Sequence, residues 1–205
     1  MIKSCTILAG LAAALLLGGN AWAQKAERKT KIVEQGETLA QSCMACHGTR
    51  GASTQQAIPT IGGQIESYLA LSLKAYRDGT RPSTVMERIA KAYSSKELEA
   101  MAVYFSLQPF IRPLQNTDPD KVALGAAVHK RKCHRCHLHD GWDSSEDDSP
   151  LLAGQKLDYL RRNMVEILAG RRIVELNMNS ALLKSTPEEI DAVLHFYASQ
   201  HGEAH

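Results

Sequence analysis

The sequence predicts an all-α protein built from one helical unit written twice in tandem. The first observation behind this is that Cys43-Met44-Ala45-Cys46-His47 returns as Cys133-His134-Arg135-Cys136-His137, 90 residues further on. The second is that the surroundings return with it. Gly36 matches Gly125 with one residue of slippage, and Ile58-Pro59-Thr60-Ile61-Gly62-Gly63-Gln64 matches Ser149-Pro150-Leu151-Leu152-Ala153-Gly154-Gln155. Tyr68 falls on Tyr159, Arg81 on Arg172, and Tyr104-Phe105-Ser106-Leu107-Gln108 on Phe196-Tyr197-Ala198-Ser199-Gln200. The third is that apolar residues recur at helical spacing in both copies, while no stretch alternates convincingly as a strand.

Residues 1–23 read as a secretory signal peptide, with Lys3, an apolar run from Ile7 to Leu17, and Ala21-Trp22-Ala23 before Gln24. The run is shorter than the ~18–20 apolar residues a bilayer span needs. No later stretch is apolar enough either, so the expectation is a protein exported to the periplasm, with no membrane span. The first unit occupies 24–108 and the second 122–205, joined by a linker at 109–121 in which Pro109, Pro113 and Pro119 disfavour helix.

In each unit a first helix runs up to and through the cysteine motif, and a second covers about Ile65 to Arg77, or Leu157 to Leu168. The last helix starts at a capping box, Ser94 with Glu97 and Thr186 with Glu189, the second with Pro187 at the first helical position. Leu98, Met101, Ala102 and Phe105 mark its apolar face in one copy, and Ile190, Val193, Leu194 and Tyr197 in the other.

Each C-x-x-C-H has the spacing of a c-type haem attachment sequence. Residues i, i+3 and i+4 share one face of a helix. The thiols of Cys43 and Cys46, or of Cys133 and Cys136, can therefore add to the two vinyl groups of one porphyrin while His47 or His137 reaches the iron. A zinc site or a redox dithiol also uses C-x-x-C. Zinc ribbons separate their pairs by ~15–20 residues, far fewer than the 90 found here. Two covalently bound haem c groups are therefore expected. Each unit has only about 80 residues and few aromatics, so its own core is marginal. The porphyrin fills the middle, and the haem-free chain is expected to be largely unfolded.

The ligand opposite each histidine decides between carrying electrons and doing chemistry at the iron. A thioether favours ferrous iron, whereas an open position binds substrate. Met86 and Met178 coincide between the copies, each eight residues before its capping Ser94 or Thr186, and are read as axial ligands. Met101 and Met164 lie on apolar stripes, opposite Val193 and Leu73, and read as core. Met44 lies inside its attachment loop, on the wrong side of the ring. His134, His139 and His195 would allow bis-imidazole ligation, but read better as surface or partly hydrogen-bonded residues. With both irons six-coordinate no residue is catalytic, and the haem edges carry the function.

The chain has 24 Lys and Arg against 22 Asp and Glu, a formal charge of +2. Four haem propionates would turn the holoprotein slightly negative, which argues against nucleic acid as a partner. Lys130, Arg131, Lys132 and Arg135 crowd the second motif, and Asp140, Asp143, Glu146, Asp147 and Asp148 follow it. That pattern is either a solvated face with an exposed loop or a field that steers a charged redox partner.

The unit resembles class I cytochromes c. In those proteins a proline shortly after the motif offers its carbonyl to the axial histidine, and Pro59 and Pro150 stand in that place. Such a bond fixes the imidazole tautomer and strengthens the ligand. Residues 30–200 are similar to the dihaem cytochromes of the cytochrome c4 group, on two class I units in tandem, Gly62-Gly63-Gln64 and Ala153-Gly154-Gln155 after the motifs, and the methionine before each last helix. This resemblance implies a pseudo-twofold arrangement, haem propionates meeting at the domain interface, and electrons passing between the haems.

A narrower resemblance is to the dihaem cytochrome subunit of flavocytochrome c sulfide dehydrogenase. It rests on Ser83-Thr84-Val85-Met86, Arg88-Ile89-Ala90-Lys91, Tyr93-Ser94, Met101-Ala102 with Tyr104-Phe105, the acidic loop Ser144 to Asp148, and Phe196-Tyr197-Ala198-Ser199-Gln200. It implies an FAD-containing sulfide dehydrogenase flavoprotein as electron donor, and a downstream cytochrome or oxidase as acceptor. Gly62-Gly63-Gln64 departs toward the free-standing carriers, which keeps open a soluble shuttle to a terminal oxidase or reductase. A haem enzyme, such as a peroxidase or thiosulfate oxidiser, is the remaining alternative.

Overall fold

In chain order the helices are α1 (Thr6–His47), α2 (Glu66–Arg77), α3 (Met86–Ala90), α4 (Ser95–Ser106), α5 (Pro119–Val128), α6 (Leu157–Leu168), α7 (Leu176–Leu183) and α8 (Pro187–Ser199). They come from a computed structural model that describes residues 6–144 and 149–202, with side chains from Ala23 onward. Glu146, Asp147 and Asp148 of the acidic loop, and the end of the chain after Gly202, lie outside the described residues.

Each unit is built on a close helix crossing, α1 against α4 and α5 against α8. Gly36 faces the Ala100 carbonyl and Gly125 the Ala192 carbonyl, so closely that any Cβ at either position would collide with backbone. Only glycine permits that approach. The crossings bury Ala40, Leu69, Ala102, Tyr104 and Phe105 in the first unit. In the second they bury Val128, Leu157, Leu160, Val193, Leu194, Phe196, Tyr197 and Ala198. Met101 is 1% exposed and Met164 packs on the second core, which agrees with reading both as packing residues.

Both expected capping boxes are present, with Ser94 accepting from the Glu97 N–H, Thr186 from the Glu189 N–H, and each glutamate returning a bond. α2 and α6 fall within a residue of their expected bounds. α1 continues without a break from the expected leader into the first unit, and Ala23 to Lys31 are exposed along it.

Three features differ from expectation. The linker ends at Asp118, whose carboxylate accepts the N–H groups of Asp120 and Lys121, and Pro119 opens α5 instead of preventing helix. At the first helical position the proline lacks an N–H that would have been unpaired anyway. The second motif is not carried on an α-helix as the first is. α5 gives way to a π-helical turn at His129–Cys133, leaving Cys136 and His137 beyond it. A π-turn accommodates one inserted residue, which is the slippage seen between Gly36 and Gly125. Finally, β1 (His137–Leu138) and β2 (Asp143–Ser144) pair antiparallel with His137 opposite Ser144, a ladder too short to leave an alternating pattern.

The two units meet through matching residues. Gln155 donates to the Thr60 carbonyl at 2.8 Å and accepts the Thr60 N–H at 3.0 Å. Gln64 does the same to Leu151, donating to its carbonyl at 3.0 Å and accepting its N–H at 2.8 Å. Thr60 and Leu151 are repeat partners, so the exchange is reciprocal about a pseudo-twofold. The linker is tied down beside it, with Gln115 donating to the carbonyls of Gly154, Gln155 and Ala198, and the Arg112 guanidinium 4.1 Å above the Trp142 ring.

Gln155→Ala strands both backbone groups of Thr60, which is 1% exposed. Each stranded group costs about 1–3 kcal/mol. Gln64→Ala is expected to cost less, because Leu151 is only half-buried and water can replace the amide. Urea unfolding of the holoprotein variants, compared at unchanged m-value, checks the order.

Candidate functional site

α1 brings Cys43, half-buried, and His47, buried, to one end of the first unit, with Cys46 exposed. The chain then reverses through Gly48, Arg50 and Gly51, all at positive φ. Ile61 and Gly62 donate to the Gly51 carbonyl at 2.9 and 3.2 Å, which pins the loop carrying Pro59 against the motif. The result is the expected bond, His47 Nδ1 to the Pro59 carbonyl at 2.9 Å. Burial pushes the His47 imidazole down in pKa and the Pro59 carbonyl opposes this, so the ring is neutral with Nε2 free to ligate.

The second unit repeats the device. Leu152 and Ala153 donate to the Gly141 carbonyl at 2.9 and 3.0 Å, and His137 is buried. Burial takes its pKa down to about 4, with the Pro150 carbonyl acting in the opposite direction. That carbonyl does not reach hydrogen-bond geometry, and His137 Nδ1 is buried without a hydrogen-bond partner. The Pro59 bond is therefore formed, and the matching Pro150 contact remains open.

All four motif thiols are free, and burial raises those of Cys43 and Cys133. Among the described residues no three of His, Cys, Asp and Glu converge on a point that could hold a metal ion. Met86 opens α3 and Met178 lies on α7, both half-buried. The sequence had placed them in the approach to the last helix without seeing these short helices. α7 packs beside the His129–Cys133 turn.

The rival histidines are accounted for differently. His134 and His139 are exposed. His195 is buried, accepts the Asp118 N–H at 3.1 Å on Nδ1, and has Arg161 Nη2 2.8 Å from Nε2. His129, which sequence reasoning passed over, is also buried, with Nδ1 2.9 Å from the Tyr197 hydroxyl.

Three observations test whether these residues fit haem. α7 has the sequence LNMNSALL and yet buries no residue, with Leu176 and Leu183 about four-fifths exposed. Ile173 just before it, Val165 and Leu168 on α6, and Leu71, Val85 and Ile89 in the first unit are exposed as well. A flat apolar group held at the motif would cover such faces.

The third observation is electrostatic. Arg81 is 5% exposed and bonds Ser72, Tyr159 and Asn163; Arg172 bonds Asn163 and Tyr68. No carboxylate among the described residues pairs with either. Burial alone would raise the Tyr68 phenol, yet the charges of Arg81 and Arg172 outweigh it and bring the group to about 7. Uncompensated buried cations are costly, and the propionates of two haems would supply the missing anions. The residues present fit the group.

The basic cluster is partly spent inside the protein. Lys132 bonds Glu189, Ser185 and the Lys184 carbonyl, and Arg131 reaches the same Glu189. Only part of the expected steering field is left for a partner.

Comparison with known proteins agrees with this geometry. The cytochrome c family profile matches residues 33–106. A thiosulfate dehydrogenase electron acceptor from Thiomonas intermedia is 31% identical over 173 residues, 78% of this chain and 79% of that protein. The cytochrome subunit of sulfide dehydrogenase from Chlorobaculum tepidum is 41% identical over 96 residues, 44% of this chain and 86% of that protein. The crystal structure of reduced cytochrome c4 from Pseudomonas stutzeri superposes with a TM-score of 0.73 at 24% identity, covering 82% of this chain and 98% of that one.

Proposed function

We propose, since this chain belongs to the cytochrome c family and is one of its dihaem, c4-like members, that it accepts electrons from a dehydrogenase that oxidises a reduced sulfur compound. When bound, each haem supplies a site that takes up and releases one electron. Cys43 and Cys46, and Cys133 and Cys136, hold the two groups by thioether bonds. His47 and His137 would hold the irons by an imidazole nitrogen, and Met86 and Met178 by a thioether sulfur. Pro59 orients the first imidazole, and Arg81 and Arg172 take up the propionate charge at the interface. With an imidazole and a thioether on each iron no position would be left for a substrate, so the chain would relay charge while the oxidation itself happens elsewhere.

The observation that supports the reading is the reciprocal lock of Gln64 and Gln155, together with buried Arg81 and half-buried Arg172, which each bond residues of the other unit without a carboxylate partner among the described residues. The donor is an FAD-containing sulfide dehydrogenase flavoprotein, and a downstream cytochrome or oxidase takes the electrons on. The similarity to the Chlorobaculum tepidum subunit supports this. A second reading, electron acceptor of a thiosulfate dehydrogenase, is favoured by the Thiomonas intermedia relative, which aligns over more of the chain. Export to the periplasm places the carrier with either donor, and no helix among the described residues is long and apolar enough to cross a membrane.

The holoprotein isolated with its partners at low salt separates these readings. A flavin-containing companion that reduces both haems on addition of sulfide supports the first. Reduction by thiosulfate through a flavin-free companion supports the second. A monomeric cytochrome reduced through neither would overturn both in favour of a general shuttle.

A further inference from the structure

The two units match in backbone but not in one polar cluster. In the second, buried His129 has Nδ1 2.9 Å from the Tyr197 hydroxyl and Nε2 3.5 Å from Oδ1 of Asp140, whose side chain is 62% exposed. Tyr197 belongs to the core against which Cys133 packs, and its ring stands edge-on to the His137 ring at 6.1 Å. The first unit has Arg50 for Asp140 and Phe105 for Tyr197, with Gly63 and Gly154 donating to the two matching carbonyls. In place of His129 it has Leu39 or Ala40, according to whether one counts from the cysteine or from the glycine.

His129 opens the π-turn, a local distortion frequent at functional sites and absent from the first unit. The reversal that presents Asp140, at positive φ with Gly141 beneath the Tyr197 ring, is shared with Arg50, Gly51 and Phe105 of the first unit, so the two units differ in the turn and in the side chains. We propose that Asp140, His129 and Tyr197 form a proton relay that ties reduction of the second haem to uptake of one proton, while the first haem is reduced without one. The proposal rests on a haem being attached at Cys133 and Cys136.

The direction of the relay is set by the imidazole tautomer. Neutral His129 carries one N–H, and in the relay it is Nδ1–H that donates to the Tyr197 hydroxyl 2.9 Å away, while the hydroxyl proton turns toward the haem attachment side. Neutral His129 is left with a bare Nε2 facing Asp140 and solvent. One electron arrives from the reduced donor, one proton arrives from water past Asp140, and the proton comes to rest on Nε2. It leaves by the same way on reoxidation.

The charged and titratable groups around the imidazole are Asp140 from the loop, Tyr197 from α8, His134 from its own turn and His137 from β1. Lys130 is exposed, and Arg131 and Lys132 are engaged with Glu189. Burial lowers the His129 pKa, Asp140 raises it and His134 lowers it. Each added negative charge at the neighbouring centre raises it.

The test is a redox titration of the full holoprotein across pH 5–8, where histidine titrates. One of the two midpoint potentials is expected to fall with rising pH, by up to tenfold in equilibrium constant or about 59 mV per unit, and the other to stay level. His129→Leu abolishes the slope. His129→Gln, which can still bond Tyr197 but takes up no proton, abolishes it too and covers a leucine variant that fails to fold. Asp140→Asn moves the slope to lower pH. A slope that survives in both His129 variants, or two level potentials in the parent, overturns the relay with both haems in place. A chain without the second haem would overturn the attachment instead.

Discussion

Met86→Ala and Met178→Ala are each expected to open one iron of the reduced holoprotein to carbon monoxide, with one molecule bound per chain in each variant, two in the double variant and none in the parent at neutral pH. These are the two methionines that coincide between the repeats, and each lies half-buried on a short helix at a matching place. Losing the thioether removes the ligand that favours ferrous iron, so the affected potential should also fall by more than ~0.1 V, within the ~0.8 V that axial ligands span. Met101→Leu is the informative control. Its sulfur lies 4.0 Å from Cys43 and it is 1% exposed, yet the assignment makes it packing alone. If Met101→Leu opens the first iron and Met86→Ala does not, the ligand has been misplaced.

The haem-free chain is expected to lose most of its helix signal and to show no cooperative melt. Without the porphyrin each unit rests mainly on one small core cluster and one close helix crossing. α7 buries nothing, α3 buries only Ala90, and Arg81 sits inside the interface without an anion. A core of this size leaves little margin over the entropy of ordering the chain. Circular dichroism of residues 24–205 produced without haem attachment tests this. A native-like spectrum with a sharp thermal transition would mean that the polypeptide folds by itself.

Much of this was legible in the sequence because it is local or repeated. The capping boxes at Ser94 and Thr186, the bounds of α2 and α6 and the pairing of Met86 with Met178 each follow from spacing along the chain. Even the π-turn left a trace, the single residue of slippage between Gly36 and Gly125. What could not be read depends on who meets whom in space. The repeat put Gln64 and Gln155 at the same place, but nothing along the chain says that each bonds the backbone of the other's unit. His129, Asp140 and Tyr197 lie far apart in sequence or on the far side of the motif, and only the fold brings them together. Pro119 misled because a proline that ends one element can also begin the next.

Haem content and spin state of the purified, unfolded and native protein test the central claim most directly. The account predicts two haems per chain that stay with the polypeptide after denaturation, and two low-spin irons in the native state. One haem or none retained, or high-spin iron at both centres, would contradict it.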